Sequence, residues 1–158
     1  MRRRSFFCLT CQAGLTLAAT AVNAQHAEFR YTGPEGPGEW GRLNPAWQSC
    51  SAGVNQSPID LGRFIEARLP PLAIAYGDVG REVENTGHAI QVNAAPGATL
   101  GIDGHSFTLL QFHFHAPSEH QLEGRSFPLE AHLVHRSAEG ELAVIGVMFQ
   151  EGAPNEVL

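Results

Sequence analysis

The chain contains no lysine: all ten basic residues are arginine, against sixteen acidic ones. Three of those arginines lie at positions 2 to 4, so the part beyond residue 24 keeps seven basic residues against all sixteen acids, a formal charge of −9. That balance excludes nucleic acid and anionic membranes as partners, since both need basic patches. Cysteine is almost as scarce. Cys8 and Cys11 belong to the first two dozen residues, which leaves Cys50 alone. A disulfide scaffold is thereby excluded, and a single thiol in an exported chain points to a missing or intermolecular partner. The apolar stretch "FFCLTCQAGLTLAATA" is short and broken by Gln12, too little for a membrane span. No long run of 3.6-residue periodicity, internal repeat or low-complexity tract occurs, which argues against a helical bundle or solenoid.

What is present begins with a leader. "MRRRS", the apolar stretch and the small residues of "VNA" form a secretory signal, with cleavage expected after Ala24. Arg3 and Arg4 before Ser5-Phe6-Phe7 also suit twin-arginine export, so either the Sec or the twin-arginine route fits. Both lead to a periplasmic or secreted protein with no membrane anchor after cleavage. Residues 25–158 are then one domain. Residues 29–57 are rich in Gly, Pro, Asn and Ser and predict surface loops, with a short helix near Pro45 to Ser49. Strands are predicted at 72–76, 81–85, 88–93, 98–102, 105–115, 129–136 and 141–149, with hairpin turns at Asp103-Gly104 and at 137–140. The fold class is mostly β: a central, twisted, mainly antiparallel sheet with short peripheral helices. "ELAVIGVMF" (141–149) is apolar on both faces and is expected deep in a sheet covered on both sides. The chain stops nine residues later, where Asn155 could cap a further helix.

Chemistry concentrates in "LLQFHFHAP" (109–117). Side chains alternate along a strand, so Gln111, His113 and His115 share one face. Two imidazoles on one face can chelate a metal or be a merely polar strand face. A catalytic zinc needs three protein ligands and an open position. The possible third histidines are 26, 88, 105, 120, 132 and 135. In "LEAHLVHRS", His132 shares a face with Glu130 and Val134, while His135 points the other way. A carboxylate beside an imidazole suits a ligand, because metal-bound histidines give their second N–H to such a group; Gln111 stands in the same relation to His113. A cupin pattern, H-x-H-x3-E, is also present as His113, His115 and Glu119, but its upstream glycine and second motif do not line up. A metallo-β-lactamase HxHxD is excluded by Pro117.

From about Tyr31 onward, "YTGPEGPGEWGRL", "CSAGVNQSPIDL", "NTGHAIQVN", "LLQFHFHAPSEH", "LEAHLVH" and "ELAVIGVMF" occur in the order of one family. The chain resembles the alpha-class carbonic anhydrases in their bacterial exported form. The resemblance implies a zinc lyase in which His113, His115 and His132 bind Zn2+, supported by Gln111 and Glu130. Zinc-bound hydroxide would hydrate CO2 reversibly to bicarbonate and a proton. His88 matches the proton shuttle and Glu119 the acid that fixes an active-site threonine. Val134 and Val144 match the apolar wall of the substrate pocket, and Tyr31 and Asn85 match residues of the water network.

The chain also departs from the family pattern. That threonine, part of the CO2 pocket, the carbonyl supporting His115 and the disulfide partner of Cys50 belong to the family's C-terminal half, which this sequence lacks. The expectation is an N-terminal fragment, with the fold incomplete at its C-terminus and an exposed apolar sheet edge. A zinc-binding but non-catalytic remnant of the family is the alternative function; a cupin-type metal enzyme is a remote third. Oligomeric state has no signal in the sequence.

Overall fold

A computed structural model describes residues 29–154; the leader and the cap expected at Asn155 lie outside them. The chain forms two compact units that meet at Gly53/Val54. In the first, two one-turn helices, α1 (Trp40–Leu43) and α2 (Ser49–Ala52), alternate with 3-10 turns. The helix expected near Pro45 is a 3-10 turn, Pro45–Trp47, opened by Asn44, whose Oδ1 accepts the Ala46 N–H at 2.9 Å. Proline suits that first position because its missing N–H would have had no partner there. The turns close on aromatic rings. Phe29 meets Trp40 edge-on at 5.1 Å and Trp47 at 5.9 Å, and the Trp40 indole N–H points at the carbonyls of Arg30 and Glu35. Among the described residues, Cys50, on α2, is an exposed free thiol.

The second unit is a seven-stranded sheet: β1 (Ala73–Ala75), β2 (Gly80–Asn85), β3 (Ile90–Ala94), β4 (Thr99–Ile102), β5 (His105–His115), β6 (Leu129–Ser137) and β7 (Leu142–Phe149). Every strand pair is antiparallel. The β5 strand is its axis. One edge pairs with β4 and then β3, with β1 and β2 outside them; the other edge pairs with β6, which carries β7. The predicted hairpins are present. Asp103 and Gly104 both take positive φ (49° and 83°), as a two-residue turn between right-twisted strands requires. Ser137 and Glu141 close the β6–β7 turn around Gly140. The β3 strand begins two residues later than expected. Thr86 Oγ1 accepts the N–H groups of His88 and Ala89, which holds Thr86 to Ala89 in a turn and leaves His88 exposed.

One extra residue in β5 decides which face does what. Phe107 and Leu109 stand opposite Ser137 and His135, but after a bulge Gln111, His113 and His115 stand opposite Val134, His132 and Glu130. Residues facing each other across a ladder share a side. Leu109 and His135 therefore point to one face and the 111/113/115 series to the other, although all these β5 residues are odd-numbered. Bulges re-aim side chains in this way. The core lies on the first face: Leu100, Phe107, Leu109 and Ala131 are buried there.

The β7 strand departs from the expectation of cover on both sides and presents the exposed apolar edge expected of an incomplete sheet. Among the described residues it is an edge strand paired only with β6, and Leu142, Val144 and Val147 are 63%, 53% and 40% exposed. Its composition is apolar on both sides because its residues extend both faces of β6, which does not by itself provide a second neighbour.

His135 is fully buried. Its Nδ1–H donates to the Ala143 carbonyl at 3.2 Å, and its Nε2 accepts the Tyr76 hydroxyl at 2.6 Å. That pairing requires a neutral ring with its proton on Nδ1. Burial pushes the imidazole pKa below its ordinary value, against smaller opposing hydrogen bonds to the backbone. In the unfolded chain the ring takes a proton near pH 6.5, whereas the folded protein resists it. Stability is then full above about pH 6.5 and declines as the pH falls toward the lowered folded pKa. Thermal melting at pH 7.5 and pH 5 is expected to show that decline, and Tyr76→Phe is expected to cost about 1 kcal/mol at neutral pH.

Candidate metal centre

The re-aimed half of β5 faces β6 with His113 directly opposite His132 and His115 opposite Glu130. Directly opposed side chains start about 5 Å apart, and two residues along a strand return to the same face. These relations alone bring three imidazoles together. The ring centres of His113 and His115 lie 4.8 Å apart, those of His115 and His132 4.9 Å, and those of His113 and His132 5.3 Å. Each ring offers a nitrogen within 4.8 Å of the others, a spacing at which the three could hold one metal ion.

The remaining nitrogens are directed by neighbours. His113 Nδ1 donates to Gln111 Oε1 at 2.8 Å, which turns its Nε2 lone pair toward the group. His132 Nε2 lies 2.9 Å from Glu130 Oε1. The distance suits a hydrogen bond, but the oxygen stands off the N–H axis, which makes it a close polar contact rather than a straight bond. It leaves Nδ1 of His132 facing the other rings. Burial lowers the pKa of His113, helped by repulsion from His115 and His132. Burial likewise lowers that of His115, against the attraction of Glu119. Neutral imidazoles are what a metal requires. Three nitrogen donors suit zinc, copper or nickel better than calcium or magnesium, which take oxygen ligands.

Glu130 is the anchor. It is fully buried, and its Oε2 accepts the backbone N–H groups of Glu119 and His120, both at 2.9 Å. Its Oε1 accepts the His120 Nδ1–H at 2.6 Å. Burial alone would raise the carboxyl pKa; the bonds from His120 and the contact with His132 outweigh it and hold the pKa below the usual range. The same bonds fasten the loop after β5, which brings Glu119 Oε2 to 3.4 Å from His115 Nε2 and 3.7 Å from His132 Nδ1. That loop is held from a second side. Leu61 N–H donates to the Gln121 carbonyl, and Asp60 Oδ1 accepts the Gly124 N–H.

His113 and His132 line a cavity of about 480 Å3 together with Ser57, Pro58, Leu61, Val134, Val144 and Met148. Val134 and Val144 face each other across the β6–β7 ladder and give the lining apolar surface. His88 and Asn85 do not line this cavity. Asn85 Oδ1 accepts the Gly87 N–H at 2.9 Å and shapes the turn before His88. Tyr31 belongs to the first unit, where it packs edge-on to Trp40 at 5.5 Å. His120, one of the possible third histidines in the sequence, bonds to Glu130 instead; that partnership had no sequence signal, because His120 follows Glu119 in a loop with no periodicity to attach it to Glu130.

Glu130→Ala is expected to leave two backbone N–H groups and one imidazole N–H without their acceptor. A buried group without its acceptor costs about 1–3 kcal/mol; these three are only part-buried and lie toward the lower end, so the total loss is on the order of 3–5 kcal/mol, within the range for breaking a buried charged pair. Urea unfolding of the metal-free protein measures it.

Comparison with known proteins agrees with this geometry. The family model for eukaryotic-type carbonic anhydrase matches residues 35–157. A carbonic anhydrase of Pectobacterium carotovorum is 46% identical over 141 residues, covering 89% of this chain and 57% of the relative. Among solved structures, a hyperthermostable carbonic anhydrase from a hydrothermal vent chimney matches at 47% identity with a TM-score of 0.77, covering 82% of this chain and 59% of that one. The alpha-carbonic anhydrase of Photobacterium profundum matches at 45% identity with a TM-score of 0.73, covering 82% and 58%. The chain thus spans less than two thirds of the length of these proteins. By matched length, identity and fold, the chain belongs to the eukaryotic-type, or alpha, carbonic anhydrase family.

Proposed function

We propose that His113, His115 and His132 hold a zinc ion and that the protein catalyses the reversible hydration of carbon dioxide to bicarbonate and a proton. The observation that carries this is the convergence of three imidazoles, two of which, His113 and His132, turn their outer nitrogens to Gln111 and Glu130. Membership of a family whose named relatives are carbonic anhydrases supports it. When bound, zinc would act as a Lewis acid that lowers the pKa of a water molecule to about 7, a figure established for carbonic anhydrase itself.

The chain's own residues do the rest. Gln111 and Glu130 set the tautomer and aim of His113 and His132, so that ligand lone pairs are presented without reorganisation. Glu119, beside His115 and His132, is an acceptor for a hydroxyl at the mouth of the site, in line with its match to the acid that orders a threonine in the family. Val134 and Val144 offer apolar surface to a substrate with no charge to grip. His88, exposed on its turn and matched to the family's proton shuttle, carries the proton from the site to buffer, a task for which the imidazole is the usual side chain. Asn85, and Tyr31 in the first unit, are assigned to the water network only by their match to the family. Export to the periplasm or beyond, after cleavage at Ala24, completes the reading.

The second reading is a zinc-binding protein without turnover, which a chain spanning less than two thirds of the relatives it matches fits equally. Zinc titration and stopped-flow CO2 hydration separate the two. One zinc per chain is expected, with His132→Ala weakening binding at least a hundredfold; zinc uptake without hydration establishes the second reading, and no uptake removes both. In an active preparation, His88→Ala is expected to slow turnover in dilute buffer and to recover with added imidazole. Equal rates in dilute and concentrated buffer before and after the substitution would remove His88 from proton transfer.

A further inference from the structure

Gly146 interrupts "LAVIGVMF", a strand whose other residues all carry side chains. Its φ is not positive, so the backbone does not require glycine there. Glycine inside a strand gives up packing and order for nothing unless another group comes close. Here one does. Gly146 stands opposite His132 across the β6–β7 ladder. A Cβ at this position would lie 3.0 Å from Glu130 Oε1, with His120 Nδ1 and Cε1 at 3.7 and 3.8 Å. Non-bonded heavy atoms prefer about 3.5–4.0 Å, so a side chain and the carboxylate oxygen compete for the same space.

The oxygen in question has little freedom to give way. Oε1 lies 2.6 Å from His120 Nδ1 and 2.9 Å from His132 Nε2, while Oε2 is pinned by two backbone N–H groups. Rotation of the carboxylate would break the Oε2 bonds; translation would open the contact to His132, which already stands off the N–H axis. We propose that Gly146 is a positioning residue of the metal centre: its absent side chain leaves the space in which Glu130 Oε1 reaches the outer nitrogen of His132. Gly146 touches neither metal nor substrate and acts through Glu130. The proposal rests on the reading of His132 as a zinc ligand, and it adds that the specification of that ligand extends to a third strand.

The test compares the full chain with Gly146→Ala, Glu130→Gln and the double variant. Zinc affinity is read by competition with a chromophoric chelator. In the zinc-free protein, the imidazole N–H proton between His120 and Glu130 is read by NMR, where a short bond to a carboxylate places it far downfield. Gly146→Ala is expected to weaken zinc binding about tenfold, the lower end for losing the support of a ligand, and to move the proton upfield. The double variant is expected to bind no more weakly than Glu130→Gln alone. Wild-type affinity with an unmoved proton overturns the proposal, and so does a double variant that loses the product of the two single effects. Should the wild-type chain take no zinc, the zinc reading fails, and the NMR proton still decides whether Gly146 places Glu130. Should Gly146→Ala not fold, Glu130→Asp is added to withdraw the carboxylate by one methylene. Recovered folding upholds the collision at Glu130, and continued failure overturns it.

Discussion

The buried carboxylate of Glu130 is the interaction on which the rest of the site depends. Taking an ionised carboxylate out of water costs several kcal/mol unless its oxygens are satisfied. In this structure two backbone N–H groups, one imidazole N–H and the edge of His132 surround it. The arrangement joins parts of the chain that local structure would leave independent. It ties the loop after β5 down to β6, puts Glu119 beside the histidines, and borders the outer nitrogen of His132. Its requirement for room extends to Gly146 on β7.

The bulge in β5 is the second constraint. A strand that alternated without interruption would have aimed Leu109 and His113 to the same side. The extra residue lets β5 supply Phe107 and Leu109 to the core and then three polar side chains to the opposite face. The histidines illustrate the result. His132 and His135 are three residues apart on β6 and point to opposite faces. One sits among imidazoles and carboxylates, the other between a tyrosine hydroxyl and a backbone carbonyl. Burial lowers the pKa of His113, His115 and His135 alike, yet the neutral ring is presented to a ligand site in two cases and spent on internal hydrogen bonds in the third.

Membership of the carbonic anhydrase family covers this chain over residues 35–157, while the chain spans under two thirds of the proteins it matches. The part described is the part that carries the three histidines and their supports. His88 and Asn85, matched to proton transfer and water ordering, belong to the turn at the β2–β3 end rather than to the lining of the cavity. A relay role suits the exposed position of His88, since a group that hands protons to buffer has to meet it.

Local rules determined much of this protein from sequence. Alternation in "LLQFHFH" and "LEAHLVH" placed Gln111, His113, His115, Glu130, His132 and Val134 on shared faces, because the period of two is a property of the backbone. Turn chemistry placed the Asp103-Gly104 hairpin, because positive φ is cheap for few residues. Tertiary structure alone decided what depends on register and on contacts between distant segments. The bulge that separates Leu109 from Gln111, the pairing of His113 with His132, the attachment of His120 to Glu130 and the edge position of β7 arise from strand pairing, and no local pattern encodes which strands pair or where they slip. Gly146 is the clearest instance. Its residue type was plain in the sequence, but the reason for it is an oxygen that belongs to another strand.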